Sequence, residues 1–130
     1  MKNLCVIPLL LLLLLLISCQ SFDKAIPIPP DKGEFVGIWK TSSGFIIEIT
    51  ANGLANLSHD LNETDPDYDK LCIKVGPSVI RDMFMMFDDD NTFIVRKPSL
   101  YAKVYKIECP PYQENNQTLM VLNGVTFIKQ

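Results

Sequence analysis

The chain has one histidine, one tryptophan and six glycines in 130 residues, and it carries no excess of basic charge. Each scarcity closes off a class of chemistry. His59 has no second imidazole to share a zinc ion or a proton relay, and no glycine-rich phosphate loop or nucleophile-elbow pattern accompanies it. Twelve Lys and Arg against fifteen Asp and Glu give a formal charge of −3. That balance argues against a nucleic-acid partner, because phosphate binding needs a basic surface. The length holds one small domain, and 48% apolar residues exclude a disordered or collagen-like chain despite nine prolines. His59 stands at the end of an expected strand beside an acidic loop and reads as a solvated edge residue, so no catalytic residue is assigned. The chain is not expected to be an enzyme, and no cofactor is expected beyond covalent lipid.

What is present begins at the N-terminus. Lys2 supplies a positive start, and Leu4 to Ile17 form an apolar stretch of 14 residues interrupted only by Pro8. A spanning helix needs roughly 20, so residues 1–18 read as a signal segment. Leu16-Ile17-Ser18-Cys19 resembles the bacterial lipobox. The resemblance implies that Ser18 fits the signal peptidase and that the Cys19 thiol accepts diacylglycerol, after which the new N-terminus is acylated. Several acyl chains, at ~0.8 kcal/mol per buried CH₂, pass the threshold for stable anchoring. Gln20 is not the aspartate that favours inner-membrane retention, which points to the outer membrane facing the periplasm. The competing reading is a plain signal peptide or uncleaved anchor with an incidental cysteine. Residues 19–32, with Pro27, Pro29 and Pro30, read as an extended tether, and the domain proper is expected over 33–130.

Phe45, Ile47 and Ile49 alternate with Glu48 and Thr50, the period of a half-buried strand, with Ile46 as the exception. An expected strand from Phe35 to Lys40 precedes it, and Asn52-Gly53 turns the chain into Leu54 to His59. Asn123-Gly124 does the same between Leu119 to Leu122 and Val125 to Lys129. Between them lie expected strands at Leu71 to Val75, Met83 to Phe87, Thr92 to Arg96 and Leu100 to Glu108. Val79, Ile80, Met83, Phe84 and Phe87 also fit a short helix with Ser78 as N-cap, but the acidic turn before Thr92 favours a hairpin. Short strands without βαβ alternation imply an all-β antiparallel barrel of about eight strands.

Gly37-Ile38-Trp39 resembles the Gly-x-Trp signature of lipocalins, and with Phe45 to Ile49 and the Asn-Gly turn it is similar to the small lipocalin-like domains of bacterial lipoproteins. The resemblance spans roughly Gly33 to Gln130. It implies that Trp39 closes the barrel floor; the basic residue that lipocalins place over it from the last strand is an arginine, where this chain offers Lys129.

Once Cys5 leaves with the signal and Cys19 is acylated, Cys72 and Cys109 remain in an oxidising compartment, and a disulfide is the default. It would contribute ~3 to 4 kcal/mol in the chain-entropy model. A redox pair or a metal site would need closer spacing or histidine ligands, so no metal is assigned. Asp65-Pro66-Asp67-Tyr68-Asp69 has the alternating carboxylates of a calcium loop, but Lys70 occupies the glycine position and Gly76 that of the bidentate glutamate. A solvated acidic loop is the plainer reading. Phe45, Met83, Phe84 and Tyr105 either line an apolar ligand pocket or fill the core, since an eight-strand barrel has room for either. Two functions follow: an anchored module that binds a small hydrophobic ligand, or an envelope protein of inhibitor or immunity type that binds a protein partner through its loops.

Overall fold

The computed structural model describes residues 24–74 and 76–130. The barrel is all-β, antiparallel and closed: β1 (Gly37–Lys40), β2 (Ile46–Ile49), β3 (Leu54–Ser58), β4 (Val79–Asp89), β5 (Thr92–Lys97), β6 (Tyr101–Glu114), β7 (Gln117–Leu122) and β8 (Val125–Lys129) each pair with the next. Trp39↔Lys129 and Lys40↔Ile128 join β1 to β8 and remove the last free edge. The lipobox, Cys19 and the signal segment lie outside the described residues.

Alternation in the strands sorts side chains to the two faces of the wall. Trp39, Phe45, Ile47, Ala55, Met83, Phe93, Tyr105, Met120 and Phe127 are fully buried inside. Their rings are in series. Phe35 meets Phe87 at 5.1 Å, Phe87 meets Phe93 at 6.0 Å and Phe93 stacks on Tyr105 at 5.3 Å. Edge-to-face and offset contacts at these centroid distances are favourable packing, so the interior is occupied by the chain's own aromatics.

Several expected elements change in detail. The segment Pro30–Phe35 is a 3₁₀ turn and not the start of β1, with proline at its first position where the missing N–H costs nothing. Of the strand expected from Leu71 to Val75, residues 71–74 are not a strand, and Val75 lies outside the described residues. Tyr68–Leu71 forms one helical turn, α1, and Leu71 and Cys72 are drawn into the core as a plug. The helix considered over Val79 to Phe87 is absent, and β4 runs straight through it, with a bulge against β3 and a register shift against β5 between Phe87 and Asp89. The residues Arg81 and Asp82 together oppose Asn56, so Ile80 and Met83 both point inward although three apart. Asp82 carries the strain, with φ 56°, and its N–H donates to Asn56 Oδ1 at 2.8 Å. Finally, β6 does not end at Cys109. It continues through Pro110 and Pro111 to Glu114, with one register shift before the prolines and another across them, where the ladder lacks their N–H groups.

The proposed tether also meets the barrel earlier than Gly33. Ile28 donates its N–H to the Ala51 carbonyl at 3.0 Å and packs on the core. At Gly53, φ is 88° and a Cβ would collide with the Ile26 carbonyl. The turn glycine therefore lets this segment lie against the β2–β3 corner.

Candidate functional site

The barrel has a floor and a mouth. At the floor the indole N–H of Trp39 donates to the Phe35 carbonyl at 2.9 Å, and the Lys129 amine lies 5.4 Å from the indole ring centroid. A cation over an indole face is attracted by the ring quadrupole. Gly37 makes this possible: its φ is 147° and a Cβ there would come within 2.6 Å of Lys129 Cε. The glycine of the Gly-x-Trp motif therefore clears the path of the lysine that covers the tryptophan.

At the mouth, α1 is tied down from four directions. Tyr105 donates its phenol O–H to the Leu71 carbonyl at 2.6 Å, and the Asn123 side-chain amide donates to the Lys70 carbonyl at 2.8 Å. Lys103 donates to the Asp69 carbonyl at 3.1 Å, and the Ser43 hydroxyl donates to Asp67 Oδ2 at 2.6 Å. Burial pushes the Tyr105 phenol far above its ordinary range and pulls the Lys103 amine down. The Tyr105 phenol thus stays protonated and serves as a donor. His59 is held rather than free: its Nδ1 accepts from the Leu61 N–H at 3.1 Å, and its ring stacks on Phe45 and meets Tyr68 edge-on.

The acidic carboxylates of this connection diverge. Asp65 Oδ1 accepts from the Asp67 N–H, Asp67 is taken by Ser43, and Asp69 pairs with Lys74 at 3.1 Å. Each is committed to a different neighbour, so they do not form a common oxygen cage of the kind calcium takes.

The four residues expected to line a ligand pocket are split by the wall. Phe45, Met83 and Tyr105 are buried inside, whereas Phe84 faces outward. The bulge at Asp82 sets that phase. Among the described residues no buried side-chain nitrogen or oxygen lacks a hydrogen-bond partner, so no orphaned polar group in the interior awaits a ligand.

The expected Cys72–Cys109 disulfide is not formed; both are free thiols. Cys72 is buried beside α1 at the level of Tyr105, which is held to Leu71. Cys109 is exposed, four residues farther along β6 and outside the wall. At ~3.3 Å per residue that offset far exceeds the reach of a disulfide.

Concavities lie on the outside. One, of about 190 Å³, is bounded by Lys24, Ile26, Phe84, Met86, Ile94 and Arg96. Another, of about 390 Å³, runs across β1 to β4 and mixes Ile38, Ile46 and Val79 with Glu48, Asn56 and Arg81. Sequence reasoning missed both clefts, although the signal was present: Met86, Ile94 and Val104 are apolar at positions whose phase is set by the buried Met85, Phe93 and Tyr105. Compared with protein-family models, with curated proteins and with solved structures, the chain matches none.

Proposed function

We propose that this protein is a non-catalytic binding module held at the bacterial cell envelope by lipid on Cys19, and that it recognises a protein partner with the surface around the barrel mouth. The observation that carries the reading is the filled interior, with aromatic rings in series and no unpartnered buried polar atom. A barrel packed in this way leaves recognition to its outside.

The mouth suits that role because it is built in advance. Four hydrogen bonds, two from β6 and one each from the β1–β2 and β7–β8 turns, hold α1 and its flanks, so a partner would meet an ordered surface with little further loss of freedom. Asp60, Glu63 and Asp69 are exposed there and give the surface its charge. The small-ligand reading is less well supported. The apolar outer cleft, about 190 Å³, is below the ~300 Å³ at which ligand sites usually begin. The larger cleft has a charged and amide-lined wall.

A photo-crosslinking residue at Glu63 in intact cells is expected to give one discrete protein adduct. The pair Asp60→Asn and Glu63→Gln should weaken binding of that partner several-fold, with the larger loss at low salt. Stoichiometric release of an apolar molecule from the purified protein would favour the ligand reading. Substrate turnover lost in His59→Ala would overturn both.

A further inference from the structure

We propose that the outer wall of β4, β5 and β6, with Lys24 and Ile26 beside it, rests on the surface of a phospholipid bilayer. The proposal rests on the anchored reading above and adds to it an orientation, with a second, noncovalent membrane contact.

The wall is amphiphilic in the way an interfacial surface must be. Among the described residues, the large apolar side chains that stay exposed are Ile26, Ile38, Val79, Met86, Leu100, Val104 and Tyr112. Of these, Ile26, Met86 and Val104 stand on this wall, with Leu100 in the β5–β6 turn at its edge. They are joined by outward-facing neighbours, since Met86 pairs with Ile94, Ile94 with Val104, and Phe84 with Arg96. Around them are the cations Lys24, Arg81, Arg96, Lys97 and Lys106 and the exposed carboxylates Asp82, Asp88, Asp89, Asp90 and Glu108. The charges around the patch are thus balanced, and what sets this wall apart is its exposed apolar surface. An exposed apolar patch with a polar, charged border is a composition that inserts shallowly into the headgroup and acyl boundary.

Chain geometry brings the bilayer to this wall rather than to another. The Ile28 N–H bond to Ala51 and the close approach of the Ile26 carbonyl to Gly53 fix the segment against the barrel. Lys24 and Ile26 then border the cleft that Phe84, Met86 and Ile94 also line. Cys19 is five residues before Lys24, a reach of at most ~18 Å even when fully extended. An acyl chain on Cys19 therefore keeps lipid within that distance of Lys24, at the border of the apolar wall.

The test uses the acylated full chain in vesicles of phosphatidylethanolamine and phosphatidylglycerol. In a Cys109→Ser background, nitroxide labels are placed at Met86→Cys or Val104→Cys on the wall, and at Thr126→Cys on β8 as a far-side reference. Collisions with membrane-dissolved oxygen, relative to a water-soluble nickel chelate, are expected to be several-fold more frequent at the two wall positions. Adding Lys24→Glu and Ile26→Glu should bring them toward the Thr126 value while the protein remains on the vesicles. Equal values at all three sites in vesicle-bound protein would overturn the proposal and leave the anchor standing. Failure of the anchor reads out separately, as loss from washed vesicles with no acyl mass on Cys19. Shielding of the wall labels without vesicles, growing with protein concentration, would assign the wall to a second copy and also overturn it.

Discussion

At the residue scale the two free thiols differ more than their sequence context suggests. Burial pushes the Cys72 thiol up to about 11, so it stays protonated and inert, whereas Cys109 is open to solvent. Alkylation of the native protein without reductant is expected to label Cys109 within minutes and Cys72 only after denaturation. Absence of label on both in denaturant would restore the disulfide. The same burial couples stability to pH. Both Cys72 and Tyr105 have folded values above their unfolded ones, so their contribution is intact below about pH 9 and falls as pH rises toward 11, where the unfolded chain releases protons first. The thermal midpoint should decline over that window, and Cys72→Ala should flatten the first part of the decline.

Among the elements, β4 shows how one strained residue decides what faces where. Without the extra residue at Asp82, the inward phase set by Ile80 would carry Asp82 and Phe84 into the barrel and turn Met83 and Met85 out. Its φ of 56° costs a β-branched side chain about 1–2 kcal/mol. Asp82→Val should therefore destabilise by about that amount, while Asp82→Gly stays near neutral because glycine accepts the conformation. Denaturant midpoints of the two variants check this, and equal losses would show that the bulge is not the determinant. In sequence this segment reads as strand or helix because the bulge interrupts the period of two that a strand announces. Asn115 and Asn116, both at positive φ, form the β6–β7 turn, a less recognisable counterpart of the Asn-Gly turn at Asn123-Gly124.

For the whole molecule, closure concentrates at the floor. β1 meets β8 over only two residue pairs, and one of them, Trp39↔Lys129, also places the lysine over the indole. Trp39→Ala should cost about 3–5 kcal/mol, since it empties the floor and removes the ring that Lys129 covers. Lys129→Ala should cost about 0.5–1 kcal/mol, the range of an exposed cation–π contact. Urea unfolding followed by the signals of several strands should lose them together. Early loss of β1 and β8 alone would show that the seam is not part of one cooperative unit.

By itself the sequence determined that this is an antiparallel all-β chain, because alternation and the Asn-Gly turn residues are local properties read within a few positions. It also marked Gly37 and Trp39 as a pair, since a glycine two residues from a tryptophan on a strand is a statement about space. Only the tertiary structure decided what the pair does, which depends on Lys129 arriving from the other end of the chain. The fate of Leu71 and Cys72 was decided in the same way. Their apolar run reads as a strand, but a donor from β6 at Tyr105 and another from the β7–β8 turn at Asn123 hold them as a plug. Local patterning cannot register such partners, because they are 34 and 53 residues away in the chain. The candidate pocket was divided for a related reason: one extra residue in β4 sets which side chains enter the barrel, and its cost is repaid by contacts across strands.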